Sequence, residues 1–230
     1  MKIRGLQKLS MVDFPGKLAA TVFTGGCNLR CPFCHNALLV TRLQESPVLD
    51  NGEVLQFLAS RRGFLDGVVL SGGEPLMQTG VVDFLSKVRK LGFSIKVDTN
   101  GCYPDVLSEI ISKGLADYVA MDIKNSPDKY AQTVGIPNFS LDNIKRSIKL
   151  LQSSGIDYEF RTTVVREFHT ADDIAAIAKW IQDAPHYYLQ NFEDSGNLIS
   201  GGLHGFSADE MQILADSAAI YQKNIQIRGL

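Results

Sequence analysis

Cys27-Asn28-Leu29-Arg30-Cys31-Pro32-Phe33-Cys34 gathers three thiols into one short loop, directly after Leu18–Thr24, an apolar run that reads as a buried strand. Thiolates are soft ligands that suit iron–sulfur clusters and zinc, and a tight loop can aim three of them at one cube. At this spacing they hold three irons of a four-iron cluster and leave the fourth open, which implies chemistry at that iron. Two blander readings stand beside it, a structural zinc site and three unrelated thiols. Zinc knuckles normally close with four ligands in two separated pairs, whereas His35, the nearby fourth candidate, adjoins Cys34.

Outward from the loop, strand-like runs alternate with amphipathic helical runs. The expected strands are Leu18–Thr24, Gly67–Leu70, Ser94–Asp98, Tyr118–Ile123, Tyr158–Val164 and Tyr187–Gln190. The expected helices are Gly52–Arg61, Gly80–Leu91, Pro104–Lys113, Asp142–Ser153, Ala171–Gln182 and Ser207–Lys223. Repeated βα units imply parallel strands joined by right-handed crossovers. The fold class is therefore α/β, a partial (β/α)6 TIM-like barrel, with Ile225–Arg228 as a candidate short extra strand. Residues 1–230 read as a single domain, in which 1–17, with a turn at Phe14-Pro15-Gly16, form an N-terminal extension over the barrel rim. Ile-Arg-Gly-Leu occurs at both Ile3–Leu6 and Ile227–Leu230, too short a match to claim a repeat.

In parallel β/α architectures the working groups follow the strands, at their carboxyl ends. Those positions hold Cys27/Cys31/Cys34, Ser71-Gly72-Gly73-Glu74-Pro75, Asp98-Thr99-Asn100-Gly101, Asp122-Ile123-Lys124 and Gln190-Asn191. A two-glycine turn lets a backbone approach a ligand closely and can offer a carboxylate to an ammonium, although Ser-Gly-Gly is also an ordinary turn. Asp98, Asn100, Asp122 and Lys124 read equally as solvated or helix-capping residues when taken singly.

The C-x3-C-x2-C spacing, with Phe33 before the last cysteine and Gly72-Gly73-Glu74 one βα unit later, resembles the radical S-adenosylmethionine (SAM) superfamily. The resemblance implies a [4Fe-4S] cluster on Cys27, Cys31 and Cys34 whose open iron chelates the methionine end of SAM. An electron from the cluster then splits the sulfonium and releases a 5′-deoxyadenosyl radical. Phe33 would neighbour the adenine, and Gly72, Gly73 and Glu74 would hold the SAM amino group. Asp-Thr-Asn-Gly and Asp-Ile-Lys resemble segments of glycyl-radical-enzyme activases, which implies SAM contacts from Asp98, Asn100, Asp122 and Lys124 and a small cation near the SAM carboxylate. Cys102 is not expected to be a ligand, because a fourth thiolate would close the open iron. Arg161, Gln190, His35, His169, His186 and His204 carry no assignment.

Leu9-Ser-Met-Val-Asp13-Phe14-Pro15-Gly16-Lys17, together with Cys34-His35-Asn36, resembles the activating proteins of anaerobic ribonucleoside-triphosphate reductase, in their longer subgroup. The implied partner is that glycyl radical enzyme, and the implied reductant is of flavodoxin or ferredoxin type. Pyruvate formate-lyase activase is a near neighbour. A radical SAM enzyme acting on a small molecule and a non-catalytic electron-transfer protein are the alternatives.

Composition bounds the rest. Hydrophobic residues make up 45% and charged residues 21% of 230, with a net charge of −2, the balance of a folded globular chain rather than a nucleic-acid binder. No apolar stretch approaches membrane-spanning length, and four cysteines, three of them clustered, fit metal use in a reducing compartment. The expectation is a cytoplasmic protein, monomeric, without nucleic-acid or membrane partners.

Overall fold

Every apolar run picked out above forms a strand in the computed structural model, which describes residues 1–229; Leu230, the last residue of the second Ile-Arg-Gly-Leu, lies outside the described residues. The chain runs β1 (Ile3–Ser10), β2 (Ala19–Thr24), α1 (Ala37–Val40), α2 (Asn51–Ser60), β3 (Gly67–Gly72), α3 (Val81–Lys90), β4 (Ser94–Thr99) and α4 (Pro104–Ser112). It continues through β5 (Tyr118–Asp122), α5 (Tyr130–Thr133), α6 (Asp142–Ser154), β6 (Asp157–Val164), α7 (Ala171–Trp180), β7 (Tyr187–Asn191), α8 (Ala208–Ala219) and β8 (Ile225–Arg228).

The eight strands form one sheet in chain order, with β1 antiparallel to β2 and every later pair parallel. Ile225–Arg228 thus extends the parallel run beyond the six expected βα units, and Ile3–Ser10 becomes an edge strand.

Helix ends are written in the sequence. Asp50 accepts from the N–H groups of Gly52 and Glu53 to start α2, and Thr170/Asp173 and Ser207/Glu210 form reciprocal capping boxes on α7 and α8. Gly155, at φ +72°, ends α6.

The parallel strands bury side chains on both faces, as helix-covered sheets do. Ala20, Val22, Val68, Leu70, Ile95, Val97, Val119, Met121 and Phe160 pack outward into the main core under the helices. The alternate residues Ala19, Val69 and Tyr118 point inward and form a separate cluster with Phe14. The residues around Phe14 therefore close the amino-terminal end of the barrel, opposite the cysteine loop. Gly67 makes room for them, since a Cβ there would lie 2.9 Å from the Phe14 ring. Two anchors hold this floor: Thr21 Oγ1 donates to Asp13 at 2.6 Å, and Lys96 Nζ donates to the Asp13 carbonyl at 2.6 Å.

Candidate active site

At the carboxyl ends of the strands a cavity of ≈ 250 Å³ is lined by Cys27, Cys31, Phe33 and Cys34 from the loop after β2. Ser71, Gly72 and Gly73 of β3 and its turn, Asp98 of β4 and Asn100 just after it, Asp122 at the end of β5 and Lys124 just after it, and Arg161 of β6 complete most of its wall. The expected site residues thus converge, with one exception.

That exception is Glu74. It is fully buried, and its oxygens accept from Leu76 N (2.9 Å), Thr99 Oγ1 (2.9 Å) and Asn100 N (2.7 Å). The carboxylate therefore ties the turn after β3 to the end of β4, and the turn meets the cavity through the backbone of Gly72 and Gly73. Glycine is required here. Gly72 has φ +118°, and a Cβ on Gly73 would stand 2.0 Å from the Gly26 carbonyl oxygen. The Glu74 N–H donates to that same carbonyl at 2.8 Å, so the two motif loops are joined beside Cys27.

The thiols are held by their surroundings. Leu29 N donates to Cys27 Sγ at 3.4 Å, and Asn100 Nδ2 reaches the same sulfur at 3.6 Å and Asn28 Oδ1 at 2.9 Å. Hydrogen bonds to cluster sulfurs are one way proteins set a reduction potential. Burial pushes the Cys27 thiol up to about 11 and Cys31 up to about 12, and raises Cys34; metal binding must displace those protons. Among the described residues no three His, Cys, Asp or Glu side chains converge tightly enough for a single metal ion. A cluster asks for something else, one thiolate per iron, and three free thiols lining one cavity suit it.

Another part of the lining is charged. Arg161 Nε lies 2.9 Å from Asp122 Oδ1, and its Nη1 lies 3.5 Å from Asp98 Oδ1. Lys124 Nζ donates to Asp122 Oδ2 at 2.9 Å, Lys96 Nζ lies 3.0 Å from Asp98 Oδ1, and Ser71 Oγ donates to Asp98 Oδ2 at 2.9 Å. Burial works to raise both aspartates, but the neighbouring cations outweigh it. Lys96 and Arg161 hold Asp98 below the usual carboxylate range, and Arg161 and Lys124 bring Asp122 down to about 2. Burial also opposes the charge on Lys124, yet Asp122 keeps it protonated well beyond neutral pH.

Phe33 packs against Phe168 at 5.7 Å and meets the His169 ring edge-on. His169 is buried and neutral, its pKa lowered by that burial. Its Nε2 donates to the Lys124 carbonyl at 2.9 Å and Nδ1 accepts from Val165 N at 3.1 Å, so it braces the loop that carries Lys124. His35 stacks on Phe192 and contacts the Glu193 carbonyl through Nε2 at 2.9 Å. His204 pairs with Glu167, and His186 stacks on Tyr188. Cys102 is buried beside the loop, its N–H donating to Asn100 Oδ1 at 3.0 Å.

Arg161 and Gln190, unassigned in the sequence, both line the cavity, and Lys96 went unnoticed there. Its signal was the spacing Lys96/Asp98, which puts both on one face of a strand.

The Radical SAM superfamily model matches residues 21–181. A Methanocaldococcus jannaschii protein named as a glycyl-radical enzyme activating enzyme is 35% identical over 99% of this chain and 96% of its own length. The pyruvate formate-lyase-activating enzyme of Staphylococcus aureus is 30% identical over 64% of this chain and 62% of that protein. In fold, the chain is similar to Streptococcus suis SuiB bound to precursor peptide SuiA (TM-score 0.73, 14% identity, 91% of this chain and 48% of that one). It is also similar to a domain of pyruvate-formate lyase-activating enzyme from Bacteroides vulgatus (TM-score 0.58, 18% identity, 71% of this chain and 99% of that one). With three thiols and a buried charge cluster facing one cavity, and a family match that spans both, this chain belongs to the radical SAM superfamily and, within it, to the glycyl-radical enzyme activating enzymes.

Proposed function

We propose that the chain installs a glycyl radical on anaerobic ribonucleoside-triphosphate reductase. When bound, the cluster and SAM supply a one-electron cleavage, driven by a flavodoxin- or ferredoxin-type reductant, that takes one hydrogen atom from a glycine Cα and leaves methionine and 5′-deoxyadenosine. The observation that carries the reading is the shared cavity, lined both by the three thiols and by the Asp98/Asp122/Lys124 cluster.

Each residue has a task in this reading. Cys27, Cys31 and Cys34 bind the cluster, and Asn100 donates to the Cys27 sulfur. The backbone of Gly72 and Gly73 receives the SAM ammonium, Lys124 meets the carboxylate, Asp98 and Asp122 take the ribose hydroxyls, and Phe33 lies along the adenine. The glycine of a partner loop enters from the carboxyl-end face, and the chain works in the cytoplasm as a monomer that docks transiently.

The test is electron paramagnetic resonance on reconstituted, reduced protein with SAM and the reductase, counting 5′-deoxyadenosine alongside. A glycine-centred doublet that requires the reductase is expected. Deoxyadenosine without a partner radical would move the substrate elsewhere. A second reading, activation of pyruvate formate-lyase, is favoured by the Staphylococcus aureus relative, and the same assay with that lyase decides it.

A further inference from the structure

Two buried carboxylates on neighbouring strands repel one another unless a positive charge lies between them. Asp122 is paired in register with Arg161, while Asp98 sits across β5 on β4. The Arg161 side chain is 13% exposed and lies between the two acids: Nε donates to Asp122 Oδ1 at 2.9 Å, while Nη1 stands 3.5 Å from Asp98 Oδ1 as an ion-pair contact, that oxygen accepting no hydrogen bond among the described residues. A guanidinium is a planar, permanently charged group, suited to bridging two carboxylates at once. Lys96 and Lys124 add a cation at the outer side of each acid. Three cationic side chains therefore face these two carboxylates, with buried Glu159 also near Arg161 and the Cys31 and Cys34 thiols near Lys124.

We propose that Arg161 is the resident counter-cation of this site: its guanidinium takes the place of a bound small cation between Asp98 and Asp122 and positions Asp122, and through it Lys124, for the carboxylate of SAM. The inference rests on the SAM-binding roles proposed above. The guanidinium already places a permanent positive charge between the two acids, and a sodium or potassium ion added there would lie against it inside a buried site, where close like charges are costly. Arg161 is a positioning residue here, acting through Asp122 and Lys124.

The test uses the reconstituted protein in sodium, potassium and tetramethylammonium buffers, with labelled SAM measured by equilibrium dialysis and thallium(I) binding followed by NMR. Wild-type SAM affinity is expected to agree within about twofold across the three buffers, a negligible energy difference, and thallium is expected not to bind between the acids. Arg161→Met is expected to bind SAM about tenfold or more weakly in tetramethylammonium, the scale of a lost charge-assisted contact. It should also gain a thallium site and recover affinity with potassium or guanidinium ions. Wild-type SAM binding that needs sodium or potassium would overturn the proposal. So would wild-type thallium binding that Asp98→Asn abolishes. The first of these arms uses the wild type alone, so a variant that does not fold leaves it decisive. Absence of a glycyl radical with every partner would refute the proposed function while the thallium result stood.

Discussion

Glu74 occupies a motif position, yet its surroundings give it structural work. Burial pushes its pKa from 4.5 up to about 7, held down from there by the Asn100, Leu76 and Thr99 donors. Because the folded value lies above the unfolded one, the native chain keeps a proton that the unfolded chain has released between those two values. That contribution to stability is complete below pH 4.5 and is lost as pH rises through 7. Relative to Glu74→Gln, the wild type should lose about 3 kcal/mol across this window in urea denaturation of the apo chain; a constant difference would refute the assignment. The cysteines divide equally sharply. Cys31→Ala should lose both cluster absorbance and SAM cleavage, whereas Cys102→Ala should retain both, and cluster loss in the second variant would show that the ligand set is larger than three.

At the scale of elements, the site depends on the junction of two loops. Gly73→Ala would drive a methyl group into the Gly26 carbonyl, next to Cys27. The expected result is a soluble chain that retains less than half of the wild-type cluster iron, measured after reconstitution. The strands themselves were legible, since apolar runs of this length bounded by glycine and polar turns admit few alternatives, and their observed ends fall within two residues of those expected. Which face of each strand lines the lumen was not legible. Arg161 illustrates the reason: with Phe160 and Thr162 buried on one side and a charge cluster on the other, alternation shows two faces without saying which is inside. The direction of Glu74 was hidden for a related cause, because two of the three donors that capture it come from β4 and its following loop, 25 and 26 residues away.

For the whole molecule, the N-terminal segment is the feature whose role the sequence understated. Read as an extension over the rim, residues 1–17 include an edge strand and pack Phe14 against Ala19, Val69 and Tyr118 at the amino-terminal end of the barrel. Phe14→Ala should lower apo stability by about 3–5 kcal/mol, the usual cost of emptying a buried aromatic site, measured by denaturant unfolding. No helix among the described residues is long and apolar enough to cross a membrane. A stoppered floor also governs traffic. With Phe14 and its neighbours packed at the amino-terminal end, access to the cavity runs from the carboxyl-end face, so in the proposed reaction a partner loop and the spent products would share one doorway.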